Sequence, residues 1–232
     1  MRVLMDTTPL RVSADFRRLW LGQAVSFIGS TMTTAALPYQ VYHQTGSSLD
    51  VGLLGLAQLA PLLLFSLVAG TFADGFDKRR LLVVVTSSAL LCSGGLTLNA
   101  SLAHPLLWVV YLLGAVSSAV MAATFPVVRS LLPLLLEEEL RPAAFTLQSA
   151  YGSFGMMVGP AVAGAVIGAA GLAPTYAADV GTYVISLGFF AGLAASPPVA
   201  GAARVSAASL FEGLRFLRGS LVTSIFAIDF LA

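Results

Sequence analysis

Long stretches without a single charge decide what this chain can fold into. No Asp, Glu, Lys or Arg occurs between Arg18 and Asp50, from Val51 to Ala73, from Leu81 to Val128, or from Pro142 to Ala178. A helix needs about 20 apolar residues to cross a hydrocarbon core of about 30 Å, so the distance between charges reads as span length. A soluble protein can bury one apolar run but must still clothe its surface. With 12 basic and 11 acidic residues among 232, this chain is 10% charged and 57% hydrophobic, against about 25% charged in soluble domains. Lipid is therefore the expected solvent, and the expected fold is an all-α polytopic membrane protein.

The charges and helix breakers give a count. Leu19 to Tyr42 makes span one, with Thr45, Gly46, Ser47 and Ser48 as a loop, and Val51 to Ala73 makes span two. The run after Lys78, Arg79 and Arg80 is long enough for two spans, which His104 and Pro105 divide at a turn. Gly171, Leu172, Ala173 and Pro174 separate span five, 143–169, from span six, 175–195. Four segments follow: an amino terminus 1–18, a six-helix transmembrane bundle 19–195, a linker 196–218 and an unfinished seventh span 219–232. In the linker, Ser196, Pro197, Pro198 and Gly201 interrupt any helix. Residues Ser209 to Arg218 then alternate apolar and charged side chains as an interfacial amphipathic helix does. The last segment makes about 21 Å of helix at 1.5 Å per residue, short of a bilayer. It reads as the start of a seventh span in a longer protein, or as a tail folded back along the surface.

All 12 basic residues fall at the amino terminus or in even-numbered connections. Lys and Arg near span ends are retained in the cytoplasm, which places the amino terminus there in a plasma membrane. A net charge of +1 offers nucleic acid no electrostatic footing. The lone Cys92 excludes an internal disulfide, and the apolar run after Arg18 is too long for a cleaved signal. No phosphate-binding loop surrounds Lys78, which excludes an ATP-driven pump. Motifs of membrane enzymes, HExxH and GxSxG, are missing, and no carboxylates cluster within spans, so an enzyme is the least favoured class. No cofactor or metal is implied; His43 and His104 sit at separate external turns.

Two segments carry more than composition. After span two the chain reads Gly70, Thr71, Phe72, Ala73, Asp74, Gly75, Phe76, Asp77, Lys78, Arg79, Arg80. A glycine, an aspartate four residues on and a basic cluster resemble the signature loop of the major facilitator superfamily, with Gly75 standing where that family usually has arginine. The resemblance implies a conformational latch built from Gly70, Asp74, Asp77, Lys78, Arg79 and Arg80; read without it, the loop is a positive-inside anchor. In span five, Gly155, Gly159, Pro160 and Gly164 resemble the antiporter motif of the same superfamily. Small residues spaced by four let two helices pack backbone to backbone, and Pro160 removes an amide donor and bends the helix.

More broadly, Phe16 to Trp20, Thr45 to Ser48 and Gly213 to Leu217 are similar to the branch holding siderophore exporters and multidrug efflux antiporters. That resemblance implies twelve spans in two halves, of which this chain matches the first. It implies alternating access and export of an amphiphilic small molecule against protons. The partners are then membrane lipid, the substrate and proton, and either a missing carboxy-terminal half or a second copy of a half-size subunit.

An ionisable residue within a span is a functional candidate, because its burial in hydrocarbon costs several kcal/mol without a cavity or partner. Asp179, about five residues into span six, is either a proton carrier or an interfacial aspartate wetted from outside. Asp229 is a second candidate in the unfinished span. Arg129 is either a third proton or substrate candidate or, lying four residues before the helix-ending signal Pro133, a side chain that snorkels to the interface. Gln23 and Gln148 either line a central cavity or, like Gln40 and Asn99, hydrogen-bond between helices.

Overall fold

A segment that crosses lipid must satisfy its backbone N–H and C=O groups from within, and a helix does so inside one segment. The computed structural model describes residues 6–75 and 77–194, with residues 66–75 by their backbone alone. The helices among them are α1 (Thr8–Val12), α2 (Ala14–Thr45), α3 (Ser48–Gly75), α4 (Lys78–Ala100), α5 (Leu107–Leu135), α6 (Arg141–Ala170) and α7 (Leu172–Ala191). A 3-10 turn at Glu138–Leu140 precedes α6. The six expected spans are thus all present as helices, α2 to α7. The linker 196–218, the seventh span 219–232 and Asp229 lie outside the described residues.

Short polar residues set the helix ends. The Ser13 hydroxyl accepts a hydrogen bond from the Phe16 amide at 3.1 Å and starts α2, using one of the donors that a helix start leaves unpaired. Gly46 ends α2 in the left-handed region, φ 66°, with its amide donating to Tyr42 O at 2.8 Å, a geometry open to glycine. Asn99 folds back on the α4–α5 turn: its Oδ1 accepts from the Leu106 amide at 2.9 Å and its Nδ2 donates to Leu106 O at 3.2 Å. Gly171, φ 91°, parts α6 from α7.

Two expectations need correction. Pro133 does not end α5, which continues through it to Leu135. The amide it lacks would have served only Arg129 O within the last turns, a loss that a membrane helix absorbs. The sixth span runs from Leu172 to Ala191 rather than over 175–195. Pro174 sits in the first turn, where an amide is unpaired in any helix.

Among the described residues, four stretches are long and apolar enough to cross a membrane: Ser48–Phe65, Lys78–Ala100, Leu107–Leu135 and Glu138–Ala170. α2 and α7 are also long enough but more polar, and the reason lies in where they sit. Their polar residues are turned inward, with Gln23, Ser26, Thr33 and Gln40 of α2 and Thr175, Asp179 and Ser186 of α7 all buried. Leucines such as Leu56 of α3 and Leu91 and Leu98 of α4 are exposed on the outside of the bundle.

Successive helices run in alternate directions, so the described basic residues gather at one end of the bundle, the basic end. α2 packs on α6 and α7, α5 packs on α3 and α4, and α4 packs on α7. Exchanging α2 with α5, α3 with α6 and α4 with α7 maps this set of contacts onto itself. The bundle is therefore two three-helix units of related arrangement and opposite direction, as in inverted repeats. One apolar cluster, with Leu19, Leu82, Leu131 and Phe190, closes the basic end; another, with Leu37, Leu54, Leu96, Val110 and Tyr176, closes the far end.

Candidate functional site

Within the bundle lies a cavity of about 600 Å³ to which all six long helices contribute. On α2, the lining residues Gln23, Ser26, Ser30, Thr33 and Leu37 recur at three- and four-residue steps, the spacing of one helix face. Ser117 and Ser118 of α5 and Gln148 and Ser149 of α6 add further hydroxyls and amides, while Phe27, Met121, Phe125 and Phe145 supply apolar wall. Such a lining, apolar surface interrupted by uncharged hydrogen-bonding groups, suits an amphiphile.

Asp179 is the most constrained residue of this cavity. It lines the wall from α7, yet the residue as a whole is fully buried. Its Oδ2 accepts hydrogen bonds from Thr33 Oγ1 of α2 and Ser93 Oγ of α4, each at 2.6 Å, and Thr182 Oγ1 donates to Oδ1 at 3.3 Å. No Lys or Arg pairs with it among the described residues. A side chain at Gly29 would overlap both Asp179 Oδ1 and Thr182 Oγ1, so the bare α2 backbone at that point makes room for the carboxylate. Two turns on, Ser186 Oγ donates to Gly22 O at 2.7 Å, and Phe190 fills the space that Gly22 leaves. Toward the far end, Tyr176 OH donates to Gln40 Oε1 at 2.7 Å. The α2–α7 seam is thus polar along its length, and the reading of Asp179 as an externally wetted aspartate gives way to a buried one.

Of the other sequence candidates, Gln23, Gln148 and Arg129 line the same cavity as Asp179. Arg129 is exposed there. Thr33, Ser93, Thr182 and Gly29 went unnoticed in the sequence. Their one legible trace is the run Gly22, Ser26, Ser30 with Gly29 and Thr33, small residues spaced by four on a polar helix.

The latch loop divides. Gly70 and Asp74 lie on the last turns of α3, and the Asp74 side chain is outside the described residues. Asp77 caps α4, its Oδ1 accepting from the Arg80 amide at 2.9 Å. Lys78, buried, donates to Ser130 O at 3.4 Å, and Arg79 donates to Ala191 O at 2.5 Å. Arg18 of α2 donates to the next carbonyl, Gly192 O, at 2.6 Å, and pairs with Asp15 at 3.1 Å. Cations from α2 and α4 therefore hold the carbonyl end of α7, where the helix dipole favours positive charge. Arg80 remains exposed.

The antiporter-like motif also divides. Gly155 and Gly159 face α2, where a side chain at either would overlap Phe27 or Thr31, and Thr31 Oγ1 donates to Gly155 O at 3.0 Å. Pro160 and Gly164 are exposed and border a shallow groove with Ala35 and Tyr39. Among the described residues, no group of three or more His, Cys, Asp or Glu is placed to hold a metal.

The family described as transmembrane secretion effector matches residues 5–228. The enterobactin exporter of Shigella boydii is 26% identical over 218 residues, which are 94% of this chain and 52% of that protein. Enterobactin exporters of two Escherichia coli strains are 25% identical over the same shares. The chain spans about half the length of these relatives. Matched nearly end to end and built of apolar helices around a polar seam, this integral membrane protein belongs to the transmembrane secretion effector family of the major facilitator superfamily, a group of transporters rather than enzymes.

Proposed function

We propose that the chain supplies one half of a secondary exporter that moves an amphiphilic small molecule out of the cell in exchange for protons. Its relatives are named as exporters of enterobactin, a siderophore, which supports export of an amphiphile of that kind. In this reading the bundle is oriented with its basic end in the cytoplasm, by the retention of Lys and Arg on that side. It rocks against a second half about the cavity, and alternating access results. That second half is the remainder of a protein of the relatives' length or a second copy. Asp74, Asp77, Arg79 and Arg80 latch one access state, and the groove beside Gly164 and Pro160 belongs to the sliding surface.

One observation carries the coupling step. Asp179 is a fully buried carboxylate on the cavity wall, held by Thr33 and Ser93 at 2.6 Å and approached by Thr182 at 3.3 Å, hydroxyls of three helices, and among the described residues by no cation. Hydroxyls can donate to a carboxylate or accept from a carboxylic acid by rotating about one bond. The cage therefore accommodates both protonation states without moving its helices, which suits a proton carrier.

The test is efflux of a fluorescent amphiphile driven by an imposed pH gradient, in cells expressing the chain within its full reading frame, as wild type and as Asp179→Asn. Loss of gradient-driven efflux in the variant, with normal membrane insertion, is expected. Undiminished efflux would remove Asp179 from the coupling step. Efflux by the 232-residue form alone would favour the paired half-size subunit.

A further inference from the structure

Arg129, near the basic end of α5, is exposed and lines the cavity. Met121, Phe125 and Arg129 recur every four residues along α5, and all three line the cavity, with Phe145 and Gln148 supplied by α6. Arg129 and Asp179 are the Asp, Glu, Lys or Arg residues among the described lining residues. They differ in availability. Asp179 is buried and its oxygens are occupied by three hydroxyl donors, whereas Arg129 is exposed and makes no hydrogen bond or ion pair among the described residues. Lys78 and Arg79 of α4 are spent on the carbonyls of Ser130 and Ala191. Among the described residues, the charge left available to a bound molecule in this cavity is therefore the Arg129 guanidinium, beside aromatic surface.

We infer that Arg129 is the anion-recognising residue of the cavity, and that the preferred cargo is an aromatic amphiphile carrying a negative charge, such as a carboxylate, sulfonate or phenolate. A guanidinium offers five N–H donors in a planar fork that fits an oxyanion in two places at once. The Phe125 and Phe145 rings receive the apolar body. The inference rests on reading the cavity as the cargo site.

Two probes separate the charge from the shape: 8-anilino-1-naphthalenesulfonate, and N-phenyl-1-naphthylamine, which is the same ring pair without the sulfonate. Binding of each is measured to the 232-residue chain in lipid nanodiscs, against empty nanodiscs, for wild type, Arg129→Gln and Arg129→Lys. Wild type is expected to prefer the sulfonate by about 10-fold, the worth of a hydrogen bond to a charged group. Arg129→Gln should abolish that preference while leaving the affinity for the neutral probe unchanged, which also reports that the cavity is intact. Arg129→Lys should keep part of the preference. Equal preference in wild type and Arg129→Gln would overturn the role of Arg129 and leave the cavity reading standing. Failure of wild type to bind either probe above empty nanodiscs would overturn both.

Discussion

At Asp179 a single carboxylate depends on three hydroxyls and one missing side chain. Thr33→Val removes one of two donors to Oδ2, and the loss of a hydrogen bond to a charged group costs about 1.5–3 kcal/mol. A lower thermal unfolding midpoint in detergent for Thr33→Val and Ser93→Ala is the expected result. The pair combined should lose less or more than the sum, because both donors serve one oxygen. Gly29→Val should be worse than either, since its side chain overlaps Asp179 and Thr182 at once; the measure is recovery of monodisperse protein. The sequence exposed Asp179 readily, because a charge within an apolar run stands out. Its partners were hidden because serines and threonines occur throughout these helices, and most of them bond their own preceding turn, as Thr86 Oγ1 does to Leu82 O. Near Arg129 it was the helix length that the sequence hid. Pro133 read as a helix end, whereas α5 runs past it and keeps Arg129 on the same helical face as Phe125.

Helix seams explain why glycines that look alike in sequence differ in weight. Gly159 lies against Thr31 and the Ile28 carbonyl, and Gly164 meets nothing within 4 Å. Gly159→Leu is therefore expected to destabilise by about 1–3 kcal/mol or more through overpacking of the α2–α6 seam. Gly164→Leu should leave the unfolding midpoint of the 232-residue chain unchanged, so comparing the two melts checks the seam directly. At the basic end, Arg79→Gln releases one clamp on the last carbonyls of α7. Faster amide hydrogen exchange confined to the last turn of α7 is expected, with a global cost of about 0.3–1 kcal/mol. The existence of all six long helices was legible because charges and turn residues punctuate them. How the helices pair was not, since α2 and α7 fall short of the four most apolar stretches although their polar residues are buried. Their polar residues answer each other, and only the packing reveals the pairing.

For the molecule as a whole, orientation is open to a direct chemical test. Cys92 is buried, so it contributes little background to thiol labelling. His104→Cys on the α4–α5 turn should react with a membrane-impermeant maleimide in intact cells, and Glu138→Cys on the opposite end only after permeabilisation. The reverse pattern would invert the bundle. Beyond orientation, the cage around Asp179 constrains how the bundle can move. Its donors come from α2, α4 and α7, and each 2.6 Å contact leaves little room for sliding before it breaks. The carboxylate acts as a rivet through three helices. While it holds, α2, α4 and α7 are tied together at one point of the cavity wall, so any change of cavity shape that parts these three helices must break it.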